Sequence, residues 1–195
     1  MHLNQFSVDV PQATEISGGY AELPHGTQFT IELHNYRSVC CDANVVVDGK
    51  DIGTFRINPY GMATLERVPH DTGRFTFYTS TSHEAAMIRV AEVAESNRGL
   101  ISATFTPELV VQALISPDLV AKGVPTRGTP TAQAGVTSGV TGLSGHSGQQ
   151  FVSVDSITYD YSQRTTITLR LVCPSSSPHP LTPAPLSTPI PPPVR

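Results

Sequence analysis

The strongest constraint on this chain is a two-residue hydrophobic period over residues 28–78, cut at short intervals by turn signals. Phe29, Ile31 and Leu33 alternate with Thr30, Glu32 and His34, and Ala43, Val45 and Val47 alternate with Asp42, Asn44 and Asp48. Side chains of an extended strand point alternately to opposite faces, so this period predicts strands with one apolar and one polar side. Asp48-Gly49-Lys50-Asp51 predicts a hairpin, because Asp and Gly tolerate the positive φ of a tight primed turn. Residues 52–57 form the return strand. Asn58-Pro59-Tyr60-Gly61 predicts a second turn with Pro59 at its first corner. A strand over 62–67, a turn at 69–73 and a strand over 74–78 follow. Strands this short and this closely spaced predict a mainly β fold, a single antiparallel β-sandwich of jelly-roll-like or immunoglobulin-like type.

The flanking segments read differently. Residues 1–27 mix Gly18, Gly19, Pro11 and Pro24 with short apolar pieces, which predicts an N-terminal arm with one or two edge strands. The β-domain spans 28–121 and is interrupted by a short helix near 82–97. Thr81 and Glu84 have capping-box spacing, Ala85, Ala86, Met87 and Ile88 follow, and Asn97-Arg98-Gly99 supplies the stop. Residues 100–106 read as a strand; 107–120 suit either a short helix or a strand. Residues 122–149 are rich in Gly, Ser and Thr and predict a flexible linker. Phe151, Val152, Val154 and Ile157, then residues 166–172, predict a hairpin over 150–173 that completes the sheet, since two strands alone are marginal in water. The Pro-rich tail, 174–195, ends near Pro191-Pro192-Pro193 and reads as extended polyproline chain.

Charge narrows the function classes. Charged residues are 14% of the chain, and 12 Lys+Arg against 16 Asp+Glu give a net charge of -4. That balance lacks the basic excess of a general nucleic-acid binder. No apolar run reaches the roughly 18 residues of a membrane span, and the first residues lack the basic-then-apolar pattern of a secretory leader. Cys40, Cys41 and Cys173 show no CxxC spacing, which predicts reduced, core-filling thiols. A bridge from Cys173 to Cys40 or Cys41 stays open.

Several motifs invite chemistry that their context withholds. Asp71-Thr72-Gly73 matches the aspartic-protease triplet, but Arg74 would set a cation against the proton-sharing dyad that such enzymes need. A turn, with Asp71 capping and Gly73 left-handed, accounts for the same residues. Asp48 and Asp51 lack the run of oxygen ligands that calcium wants and fit the hairpin turn. Ser144 and His146 lie in low-complexity sequence, which would not hold a nucleophile against its base. No catalytic, metal or cofactor residue is assigned. The remaining candidate is a contact face of Arg56, Glu66, Arg74, Tyr60 and Tyr78, in which Arg56 or Arg74 pairs with Glu66 across strands.

Residues 41–57, Cys-Asp-Ala-Asn-Val-Val-Val-Asp-Gly-Lys-Asp-Ile-Gly-Thr-Phe-Arg-Ile, and the stretch 66–78 ending Gly73-Arg74-Phe75-Thr76-Phe77-Tyr78 resemble a β-domain of proteins from large DNA viruses and microbial sources. The family pattern reads R-C-D-A and then E-R-P-V-H-D-T-G. This chain has Cys40 in place of that Arg, and Val68-Pro69 in reverse order. The resemblance implies a virion-surface or minor capsid role and carries no functional residue. The sequence expectation is therefore a structural, non-enzymatic protein of a large assembly, partnered by other subunits and by itself. Its arm, linker and tail, Pro191, Pro192 and Pro193 included, would contact neighbours. A carbohydrate-binding or adhesive surface module, with Tyr60 and Tyr78 as platforms, is the alternative. The P-x-x-P-like spacings of the tail also suit a ligand of SH3-type domains.

Overall fold

The computed structural model describes residues 1–88, 90–110 and 137–174. In chain order the strands begin with β1 (His2–Leu3), β2 (Phe6–Asp9), β3 (Thr14–Ile16), β4 (Tyr20–Glu22) and β5 (Thr27–Gln28). Then come β6 (Ile31–Asn35), β7 (Cys41–Val47), β8 (Lys50–Ile57), β9 (Met62–Leu65) and β10 (Arg74–Thr79). One short helix, α1 (His83–Met87), precedes β11 (Leu100–Pro107), β12 (Thr137–Ser144) and β13 (Thr165–Cys173). The chain is mainly β and its ladders are antiparallel, except for the parallel pair β4–β13.

The strands form two sheets. The smaller has the order β1-β2-β6-β9, and the larger runs β5-β10-β12-β13-β11-β7-β8, with β4 and β3 attached through β13. Phe6, Val8, Ile31, Leu33 and Leu65 of the first sheet join Ala43, Val45, Ile101, Ala103, Phe105 and Ile167 of the second in one buried cluster. The Phe6 and Phe105 rings stack at 4.7 Å between centroids. Two sheets sharing one apolar interior are consistent with a β-sandwich.

Local chemistry explains the turns that were predicted correctly. Asp48 and Gly49 have φ of 51° and 78°, as the two corners of a primed turn require, and Val47 pairs with Lys50. The extra residue of a bulge then falls between Asp51 and Gly53, where Gly53 takes a φ of 124°. At 58–61 the amide of Gly61 donates to the Asn58 carbonyl at 3.0 Å around Pro59. Asp71 also caps its turn, its Oδ1 receiving the Gly73 amide at 2.8 Å. Gly73, however, is absent from the positive-φ residues; a Cβ there would sit 2.8 Å from that of Leu143.

Four expectations change. Residues 1–27, expected as an arm with one or two edge strands, supply β1 to β4 and the start of β5 and bury Phe6, Val8 and Leu23. The N-terminal ammonium group ties this region down through Asp9 (2.9 Å) and Glu15 (3.0 Å). The helix over 82–97 shrinks to α1 followed by two single 3-10 turns, and its cap is Ser82, not Thr81, with Ser82 Oγ accepting from the Ala85 amide. The hairpin over 150–173 does not form: residues 150–157 pair with no strand, and β13 bonds to β11, β12 and β4 instead. Lastly, part of the predicted linker is β12, which pairs with β10 along six positions. The remainder of that linker up to 136, and the tail from 175 with Pro191, Pro192 and Pro193, lie outside the described residues.

The glycines of β12 show why composition misled. A Cβ on Gly139 would lie 2.1 Å from the Phe77 ring, and one on Gly142 would lie 2.7 Å from the Tyr78 ring. Here glycine marks the close approach of aromatic rings to backbone, a role it takes in strands as readily as flexibility in linkers. The neighbouring Asp48 fastens β12 and β11 to the hairpin. Its Oδ1 receives the Gly99 amide at 2.7 Å and its Oδ2 the Thr141 amide at 2.5 Å. Burial pushes this carboxyl up to about 6, against the pull of the two amides and Lys50.

Two outcomes are expected. Gly139→Val should cost about 1–3 kcal/mol in urea unfolding by overpacking Phe77, whereas Gly148→Ala, which meets nothing within 4 Å, should be silent. For Asp48 the native carboxyl holds its proton to higher pH than the unfolded one, so its contribution is complete below pH 3.8 and is lost as pH rises through about 6. At about 1.4 kcal/mol per unit that loss approaches ~3 kcal/mol. The stability difference between wild type and Asp48→Asn should therefore fall by up to that amount from pH 4 to pH 7.

Candidate binding groove

Strand register builds the site from the outward residues of the larger sheet. Thr54 of β8 lies opposite Asn44 of β7, Asn44 opposite Thr104 of β11, and Thr104 opposite Thr166 of β13. One step along, Arg56, Asp42 and Thr106 form a second row. The rows are held by side-chain bonds: Asn44 Nδ2 donates to Asp51 Oδ1 (3.1 Å) and Thr54 Oγ1 (3.3 Å), and the Thr104 and Thr166 hydroxyls are 3.0 Å apart.

The wall over these rows is residues 158–164. The Leu109 amide donates to the Thr158 carbonyl and the Asp160 amide to the Pro107 carbonyl, so the end of β11 fixes Tyr159 in place. Asp160 Oδ1 caps the following 3-10 turn through the Ser162 amide at 3.0 Å. Tyr159 Oη donates to Asp42 Oδ2 at 2.7 Å, and Asp42 also binds Arg56 in a two-point ion pair, with Nη2 at 3.0 Å. The Tyr159 and Tyr161 rings lie 5.7 Å apart, and the Arg164 guanidinium covers one face of Tyr161 at 4.9 Å. Between the wall and the rows is a depression of about 410 Å³.

A second depression, about 810 Å³, shares Asp42, Thr54 and Tyr159 with the first and runs on beneath residues 149–156. Its apolar lining includes Leu65, Pro69, Val152, Val154 and the Phe55–Phe151 pair, 5.8 Å between centroids, with the Arg67 guanidinium over Phe151 at 4.8 Å. The Arg56 Nη2 holds the covering segment by donating to the Asp155 carbonyl at 2.9 Å. The two depressions meet at the Asp42–Tyr159 bond, the tyrosine pair lining the first and the Phe55–Phe151 pair, packed against the core at the β8 edge, lining the second.

Electrostatically the floor is quiet. Burial alone would raise Asp42, but the bonds from Arg56 and Tyr159 hold it below the usual carboxylate range. Donation to Asp42 pushes the Tyr159 phenol up, so it stays protonated at neutral pH. The groove offers ring faces, hydroxyls and amides. Cys41, on the inner face of β7, is driven up to about 12, first by burial and then by the carboxylate of Asp42. All three cysteines are free thiols. Among the described residues no three His, Cys, Asp or Glu side chains gather in a metal-ligating group, and no helix is long and apolar enough to cross a membrane.

The five sequence candidates are dispersed among different partners. Arg56 pairs with Asp42, because β8 bonds to β7 while β9 joins the other sheet. Arg74 does approach Glu66, at 3.7 Å, and Glu66 also receives the Ser147 hydroxyl at 2.8 Å. Tyr60 is exposed in its turn with a φ of 53°, its amide donating to the Arg37 carbonyl. Tyr78 lies over Gly142 and edge-on to His25 at 5.6 Å. Only Arg56 belongs to the groove. The residues missed were Asp42, Asn44, Tyr159 and Tyr161; the pair of tyrosines flanking Asp160 was the available signal. No family model, curated protein or solved structure matches the chain.

Arg56→Met leaves the Asp42 carboxylate with Tyr159 as its remaining side-chain partner and should cost about 1–3 kcal/mol at pH 7. Since the Asp42 carboxyl is depressed in the fold, its contribution is present above the unfolded value of 3.8 and is lost as pH falls through the lower folded value. The difference in thermal unfolding between the two proteins should accordingly shrink as pH falls below 3.8.

Proposed function

We propose that this chain is a structural, non-enzymatic β-module of a large assembly, and that the outer groove and its covering segment bind other subunits, itself included. The observation that carries this reading is the segment 150–157. It pairs with no strand, yet Val152 and Val154 are 85% and 58% exposed. An extended stretch with bare apolar side chains beside an aromatic groove favours a protein partner that adds to it. In this reading the sandwich is of jelly-roll-like or immunoglobulin-like type, and the particle is a virion that carries the chain as a minor capsid or decoration protein. The resemblance over residues 41–57 and 66–78 supports that extension.

Carbohydrate binding is the second reading, favoured by Tyr159 and Tyr161 standing beside the amide and hydroxyls of Asn44, Thr54 and Thr104. The two readings separate in one pair of measurements. Native-source extract is sedimented with the chain followed by intact mass, and purified protein is applied to a glycan array. The assembly reading expects the chain in megadalton particles, with no array signal that Tyr161→Ala removes. A chain that sediments alone and loses a glycan signal on Tyr161→Ala would overturn it.

A further inference from the structure

We infer that a separate depression of about 380 Å³, at one end of the fold, binds a carboxylate-bearing sugar. It lies where β6 and β8 end and β2, β7, β9 and β13 begin, and its lining residues all sit in loops and turns. Gln163 lines it from the same 3-10 turn that gives Tyr161 to the groove, yet the two sites have no lining residue in common. The inference goes beyond the assembly reading and does not depend on it.

The loops around this depression are fixed before any ligand arrives. Asn35 is buried at their root. Its Nδ2 donates to the carbonyls of Val39 (2.8 Å) and Asn58 (3.1 Å), and its Oδ1 receives the Arg37 amide at 3.0 Å. The Tyr36 amide donates to the Gln5 carbonyl at 2.9 Å, and the Tyr60 amide to the Arg37 carbonyl at 3.0 Å. Three separate loops are thus tied to one another, and little ordering entropy is left for a ligand to overcome.

Arg37 supplies the charge. Its side chain is half-buried, with the guanidinium carbon 4.7 Å from the centre of the Phe6 ring. Nε and Nη2 both donate to the Asn4 carbonyl at 3.3 Å, which fixes the plane of the group and leaves its Nη1 side open. Arg56 and Arg74 have carboxylate partners, whereas among the described residues Arg37 has none. A flat, oriented guanidinium with one open side suits a single carboxylate, taken by two parallel bonds.

Tyr60 supplies the ring. It holds a φ of 53° and is 73% exposed, so packing does not account for a bulky side chain in a conformation that Gly or Asn fills more readily. Tyr36, 47% exposed, is braced by the His34 ring at 5.7 Å and 3°. The rest of the lining is mostly polar, with the amides of Gln5 and Gln163 and the Ser38 hydroxyl. Ring faces beside amides and one cation match a hydroxyl-rich ring bearing one negative charge. An acidic peptide fits less well, because the depression presents no strand residue whose backbone could pair with it.

The test is calorimetric titration of the full chain with oligosaccharides that carry glucuronic or sialic acid, and with the same sugars after reduction of the carboxyl to an alcohol. Wild type should bind the acidic sugars and bind the reduced ones more weakly by about tenfold or more. Arg37→Lys, which keeps the charge but loses the fork, and Tyr60→Gly should each weaken binding of the acidic sugars by a similar factor. Tyr60→Gly should also leave the melting temperature unchanged or higher, since glycine accepts the positive φ; a tyrosine with only a structural part would lose stability along with binding. Should Arg37→Lys melt early, Gln163→Glu places a like charge on the exposed rim and should weaken binding in its stead. Tyr161→Ala, in the groove, should change nothing. A wild type that binds no acidic sugar, equal affinity for acidic and reduced sugars, or equal affinity for a tetraglutamate peptide would overturn the inference. So would a signal that Tyr161→Ala removes and Tyr60→Gly keeps, which would put the sugar in the groove. The assembly reading stands or falls separately, by sedimentation.

Discussion

Strand β13 has two edges, and the fold depends on both being filled. One edge takes β11 along Thr165 to Arg170 and then, in the same line, β12 at Val172 and Cys173. The opposite edge takes β4 in parallel. A single backbone thus joins β11, β7 and β8 at its start to β12, β10 and β5 at its end, while its inward Ile167, Leu169 and Leu171 fill the interior. Arg170 reinforces the junction by donating to the carbonyls of Arg98 (2.7 Å) and Ser96 (2.5 Å). Those bonds help hold the chain just before β11, where the helix of the sequence pattern gives way to single turns.

Much of this was legible where physics is local. The period-two runs became β6, β7 and β10, and the Asp48-Gly49 turn followed because few residues other than Asp, Asn and Gly accept two successive left-handed corners. What failed was whatever depended on distant partners. Glycine in 137–144 has the same composition in a linker as beneath an aromatic ring, and only the rings of Phe77 and Tyr78 tell them apart. Phe151 to Ile157 has the pattern of a strand but finds no ladder, since both edges of β13 are already occupied. Residues 1–27 looked like an arm because their strands are short; their stability comes from β13, β6 and two carboxylates that sequence cannot place beside Met1.

The candidate groove was less legible than the fold for the same reason. Alternation marks Asp42 and Asn44 as outward residues, yet says nothing of which loop will cover them. That loop is set by the pairing of Tyr159 with Glu108, a contact across some fifty positions. Arg56 was expected to meet Glu66 on the assumption that consecutive strands are neighbours. Instead the turn at Pro59 hands the chain to the other sheet, and Asp42 becomes the partner. The aromatic pairs, the quiet floor and the unpaired cover follow from that change of sheet.

The position of β13 also bears on how the molecule is made. The strand that unites β4, β11 and β12 is the last of the described strands to leave the ribosome. Until then β4 has only β3 beside it, and the nascent chain carries open sheet edges and uncovered phenylalanines. Contacts between residues 20–22 and 170–172 close a very long loop, which slows folding and lengthens the interval in which wrong strands can pair. Pairing over so long a separation forms later and more slowly than the local contacts of a helical protein of equal size.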